Sequence, residues 1–143
     1  MSKHDFGNGE LEFSRWETPF ENAKLWVLGV SYEERTLDVH VVVYSSDGVP
    51  LAPEPIYRLR FGDVAAFRVL DEGGLLGLWA QTPAMGRPGD STFRVRNHLW
   101  TSESILSFIH GTEDGWSFVI ATDGECVEIL APNPPTITLE GAR

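Results

Sequence analysis

The chain carries one cysteine in 143 residues, Cys126. No intrachain disulfide can form, which sets aside the small secreted scaffolds held together by cross-links. Lysine is nearly as scarce: only Lys3 and Lys24 accompany the arginines, and the 11 positive residues face 21 Asp and Glu for a formal net charge of −10. Nucleic-acid and anionic-membrane binders draw affinity from clustered Lys and Arg, so neither is an expected partner, whereas a basic protein is. No apolar run approaches the roughly 20 residues of a spanning helix. The start, Met1 to Glu10, is polar and lacks the apolar stretch of a signal peptide. The expected location is the cytoplasm.

Recognisable reaction chemistry is missing too. No G-x-S-x-G elbow, phosphate loop or helix-opening G-x-G-x-x-G occurs, and Gly73-Gly74 lacks the Lys-Ser/Thr that a phosphate loop needs. His40, His98 and His110 include no pair at the short spacings that fix part of a metal's coordination sphere locally. Cys126 lies beside Glu125 and near Glu128, the opposite of the positive surroundings that make a reactive thiolate. A protein without enzyme activity, metal or cofactor is expected.

What is present is a foldable chain. The 42% hydrophobic and 11% aromatic content is globular, and a chain of this length buries roughly two-thirds of its unfolded surface in one core. A single domain over residues 1–143 is expected, with residues 1–8 a flexible N-terminal segment. Apolar residues recur with period two: Leu37, Val39, Val41 and Val43; Tyr57, Leu59 and Phe61; Trp116, Phe118 and Ile120. That period belongs to strands. Leu25–Val30 forms a hairpin with the first run, Val64–Leu70 and Cys126–Leu130 read as further strands, and Asp123-Gly124 is a hairpin signal. Asp47-Gly48 marks another turn, Leu75–Trp79 suits a short strand or helical turn, and residues 81–91, rich in Pro and Gly, form the longest irregular stretch. Thr136–Leu139, following Pro132, Pro134 and Pro135, reads as an edge strand. One short helix is predicted near residues 102–110: Ser102 caps it, Glu103 sits in its first turn, Ile105, Leu106, Phe108 and Ile109 make its apolar face, and Gly111 ends it in a left-handed conformation. The sum is an α+β domain, mainly antiparallel β, built as a sandwich or half-open barrel.

Arg94, Arg96 and His98 recur at every second residue, so a strand would project all three from one face. Arg58 and Arg60 repeat the arrangement, and if the two strands were neighbours they would form an anion-binding patch. The competing reading is cross-strand pairing with Glu125, Glu128 or Asp123. Acidic pairs at turns, Glu33-Glu34, Asp71-Glu72 and Glu113-Asp114, crowd negative charge at the ends of the domain, where it can steer a basic partner. Of five tryptophans, Trp79 and Trp100 flank irregular segments and are candidate exposed contact anchors.

The order of these pieces resembles a loose group of small bacterial proteins. The resemblance is carried by Phe61–Glu72, the Trp79 region, Ser102–Phe108 and Ser117–Ala131 followed by Pro135-Thr-Ile137, and it covers about residues 57–139. Some members look like immunity proteins that neutralise a polymorphic toxin delivered by a neighbouring cell. The resemblance implies a soluble bacterial cytoplasmic protein without enzyme activity, capable of self-association, and transfers no binding residue. Three functions follow as expectations. One is a noncatalytic inhibitor docking a basic toxin through acidic loops and exposed aromatics. Another is an anionic-ligand protein or enzyme with an aromatic pocket and Arg94, Arg96 and His98. The last is a structural subunit of an oligomer.

Overall fold

A computed structural model describes residues 10–44, 53–71, 88–89 and 91–143. The turn at Asp47-Gly48, the segment Leu75–Trp79, Glu72, Trp79 and residues 1–8 lie outside the described residues, as does most of 81–91. Among the described residues, nine strands and two short helical segments follow in order. They are β1 Glu12–Arg15, β2 Lys24–Glu33, β3 Thr36–Tyr44, β4 Pro55–Phe61, β5 Ala66–Asp71, β6 Thr92–Arg96, α1 Leu99–Glu103, α2 Ile105–Gly111, β7 Ser117–Ile120, β8 Glu125–Leu130 and β9 Thr136–Ala142. No described helix is long and apolar enough to cross a membrane.

The strands form two antiparallel sheets, one in the order β1-β6-β7-β8-β5 and the other β2-β3-β4-β9. Period-two alternation gives each strand one apolar face, and the two inner faces meet in a shared core. Val39, Val41, Leu59 and Phe61 from the four-stranded sheet pack with Phe118, Ile120, Val127 and Ile129 from the five-stranded one. The fold is thus the expected α+β sandwich. The β2–β3 turn places Glu34 and Arg35 at positive φ, 50° and 65°, the primed-turn geometry that suits the twist of a hairpin. The β7–β8 hairpin closes through Thr122, whose Oγ1 accepts from Gly124 N at 3.0 Å. The final strand lies at the edge of its sheet, as its prolines predict.

Three local expectations are corrected. β1 was not predicted, because four residues with only Phe13 flanked by Leu11 give too short an alternation. The helix begins at Leu99 and breaks at Ser104, where φ is −133°, so Ser102 lies inside the first segment rather than capping it. Gly111 also has a different role. Positive φ occurs at Gly115 and Gly141 among the described glycines, not at Gly111. A Cβ at Gly111 would instead stand 2.3 Å from the Ala65 Cβ, so glycine lets the end of α2 press on the β4–β5 connection. Gly111→Ala is expected to destabilise the protein by about 1–3 kcal/mol through overpacking, with Ala65→Gly relieving part of the loss. An unchanged urea midpoint for Gly111→Ala would show that the contact does not constrain the fold.

The outer face of the five-stranded sheet is also buried. Phe93, Val95, Val119, Ala121 and Cys126 form a second cluster there, and Trp100, Phe108 and Leu130 a third beneath the helices. This is why β8 reads as buried on both faces from Cys126 onward. Cys126 is 1% exposed, the packed thiol expected of an acidic strand.

Candidate functional site

The strand expected to align Arg94, Arg96 and His98 ends at Arg96. Asn97 adopts φ 61°, a left-handed conformation that Asn tolerates better than most residues. The kink turns His98 to the opposite face, so the three do not form one patch. Arg94 and Arg96 do stay together: their guanidinium carbons stand 5.2 and 4.3 Å from the Trp116 ring centroid. Arg96 Nε also donates to Glu12 Oε2 at 2.8 Å, and its Nη1 to the Asp114 carbonyl at 3.1 Å. Arg58 and Arg60 belong to the other sheet. There Arg60 makes two 2.8 Å hydrogen bonds to Asp38, and Arg58 Nη1 lies 3.1 Å from Glu140. The combined arginine patch does not exist, and for Arg58, Arg60 and Arg96 ion pairing is the arrangement found, with other partners than those expected.

His98 lies instead in a largely buried polar cluster built on Glu128. Register pairs Arg68 of β5 with Glu128 of β8, and Glu128 is 1% exposed. Its Oε1 accepts from Arg68 Nε at 2.9 Å and Nη2 at 2.6 Å. Its Oε2 lies 2.5 Å from His98 Nε2 and 2.7 Å from Ser117 Oγ. A carboxylate only accepts, so His98 donates through Nε2, leaving Nδ1 at 3.3 Å from Thr101 Oγ1. Burial raises the Glu128 carboxyl. The hydrogen bond and field of His98, then the charge of Arg68 and the Ser117 hydroxyl, outweigh it, so the group ends below its ordinary value. Arg68 is stacked over Trp100, 4.4 Å to the ring centroid. With His98, Ser117 and Glu128 all buried, the cluster pins the start of α1 to β5, β7 and β8. No sequence motif announces it, although a Glu among the apolar residues of β8 is the signal that a partnered buried charge is needed.

The same packing buries Trp100, 9% exposed, against Phe108 at 5.6 Å between ring centroids. It is not the exposed anchor expected of it. The helical segments expose aliphatic residues instead: Leu99 at 74%, Leu106 at 67%, with Ile105 and Ile109 also exposed. Of the apolar face expected on the helix, only Phe108 is buried.

Two of the three acidic turns gather at one end. Val64 N donates to the Arg35 carbonyl at 2.9 Å, tying the β2–β3 turn to the β4–β5 connection, and the Gly111–Ala65 contact brings the end of α2 to the same place. Glu33, Glu34 and Asp63 are therefore at the end of the sandwich reached by α2, which continues directly into Glu113 and Asp114; all five are exposed. Asp71 is exposed at the end of β5, beside Glu125 in register. Comparison with protein-family models, curated proteins and solved structures finds no match. The fold and these surfaces define the protein as an acidic antiparallel β-sandwich bearing an aliphatic helical face.

Proposed function

We propose that this protein is a noncatalytic, cytoplasmic binding protein of the immunity type, which docks a basic protein partner through the aliphatic face of α1 and α2. One observation carries the reading: Leu99, Ile105, Leu106 and Ile109 stay exposed although Phe108 on the same segment is buried. Apolar side chains kept in water, with Glu103, Glu113 and Asp114 exposed on and just after the same segments, suit an interface with an apolar centre and a charged rim. Carboxylates at the rim favour a basic partner and speed its approach. A toxin that degrades nucleic acid must itself hold a polyanion, so its site has the complementary charge.

The test asks first whether a neighbouring reading frame encodes a toxin-like chain, whose absence would reject the reading, and then co-expresses that chain with this protein. The wild-type protein should restore growth. Leu106→Asp, at an exposed position that should leave the fold intact, should weaken complex formation by about 2 kcal/mol or more and abolish protection. Absence of protection by the wild-type protein, or full protection by Leu106→Asp, would reject the reading. Light scattering of the isolated protein distinguishes this partner from a second copy on the same face, since self-association through that face would disappear in Leu106→Asp.

A further inference from the structure

On the other face of the five-stranded sheet, Arg94 projects from β6 opposite Phe118 of β7. A cleft of about 300 Å³ opens above them, walled by Trp16, Pro134 and Ile137. A recess of about 60 Å³ shares Arg94, Phe118 and Pro134, and Trp116 forms its side. Arg58, Arg68 and Arg96 are each partly buried, and each meets a carboxylate. Arg94 is partly buried too, yet among the described residues no carboxylate pairs with it. Its Nη2 donates to Ser14 Oγ at 2.9 Å, while its Nε, like that of Arg58, is shut off from solvent and has no acceptor among the described residues. A guanidinium is permanently charged and carries five N–H donors. In a chain with 21 acidic residues, pairing would have been the easy outcome.

We propose that this cleft binds a small monocarboxylate with an aromatic or branched apolar body, the carboxylate on Arg94 and the body against Trp16, Phe118 and Ile137. The single charge follows from the surroundings. Arg15, on the cleft wall, is held by Glu21 at 2.6 Å, and Arg96 by Glu12 at 2.8 Å. Glu17 and Glu113 line the cleft and the recess respectively. A dianionic phosphate would meet one cation without a carboxylate partner and two carboxylates, whereas a monoanion is matched by Arg94 alone. The apolar body follows from the walls, and the volume is at the small end of ligand sites, which restricts the ligand to about one ring or a short branched chain.

The experiment titrates the full chain with phenylacetate, phenylacetamide and inorganic phosphate, reading tryptophan fluorescence and the indole N–H resonance of Trp116. Phenylacetate is expected to bind at millimolar concentration and shift the Trp116 signal. The uncharged amide should bind ~10- to 100-fold more weakly, the loss expected when a hydrogen bond to a charged group is removed. Phosphate should not compete. Arg94→Met should show the same loss for phenylacetate. Arg94→Lys keeps the charge without the planar fork, and should bind between the two, which guards against a folding failure in the first variant. Equal binding of acid and amide, competition by phosphate, no response to phenylacetate, or wild-type affinity in either variant would each overturn the proposal. The helical face plays no part, so Leu106→Asp should bind phenylacetate normally.

Discussion

Replacing Glu128 with alanine is expected to cost about 3–5 kcal/mol of folding stability. The side chain is 1% exposed and joins β8 to β5 through Arg68, to β7 through Ser117 and to α1 through His98. Removing it strands the donors of His98 and Ser117 in a dry site and takes the counter-charge from Arg68. Against the ~5–15 kcal/mol that a domain of this kind has in total, the loss is severe. Urea unfolding measures it. Arg68→Met combined with Glu128→Met, which removes both charges, should be less damaging than Glu128→Ala, because replacing a whole buried pair avoids an uncompensated charge. A Glu128→Ala protein within 1 kcal/mol of the wild type, about the typical effect of a point substitution, would show that the cluster does not hold the helices.

Acid should act through the same group. The folded state lowers the Glu128 carboxyl, so its charge stabilises the fold above the ordinary carboxylate range. That contribution falls away as pH drops from that range through the lower folded-state value. Glu21, held down by hydrogen bonds from Arg15, and Asp38, held down by Arg60, lose stability in the same direction. Their partners are largely solvent-exposed, so screening leaves them a small share. The acid-side slope of the unfolding midpoint should therefore flatten mainly in the Glu128 variants.

Phe61→Ala is the second large effect expected, about 3–5 kcal/mol. Phe61 of β4 is fully buried and meets Phe118 of β7 at 5.6 Å and Trp16 at 6.1 Å between ring centroids, while Trp16 and Phe118 stand 5.0 Å apart edge to face. These three rings cross from one sheet to the other. Truncation at Phe61 leaves a cavity at the junction and removes two aromatic pairs, whereas Phe61→Leu fills most of the space and should cost less. Equal unfolding midpoints for the two variants would show that the sheets close over the gap.

The strands were legible where one face is apolar and the other polar. Leu37 to Val43 could hardly be anything else, and β4, β7 and β8 followed from the same alternation or from their bounding turns. β1 escaped because four residues offer too few periods, and its place beside β6 comes from long-range pairing. On the helix, the pattern showed an apolar face but not which of its residues would be covered. Phe108 packs on Leu130 and Trp100, while Leu106 does not reach the sheet. Gly111 was legible as a helix end, and the reason for glycine there was not, because Ala65 is 46 positions away in the chain.

The arginine and histidine residues divide in the same way. Alternate spacing correctly placed Arg94 and Arg96 on one face. A single left-handed residue, Asn97, sent His98 to the other, where Arg68 and Ser117 complete its environment from separate strands. The sequence by itself determined the period of each strand, the acidity of the turns and the scarcity of free positive charge, since these depend on neighbours in the chain. The tertiary structure alone decided which charges are paired, which apolar residues stay wet and where the Arg94 guanidinium lies. Those outcomes depend on side chains brought together from strands far apart in the chain, and sheet order and register set such distances.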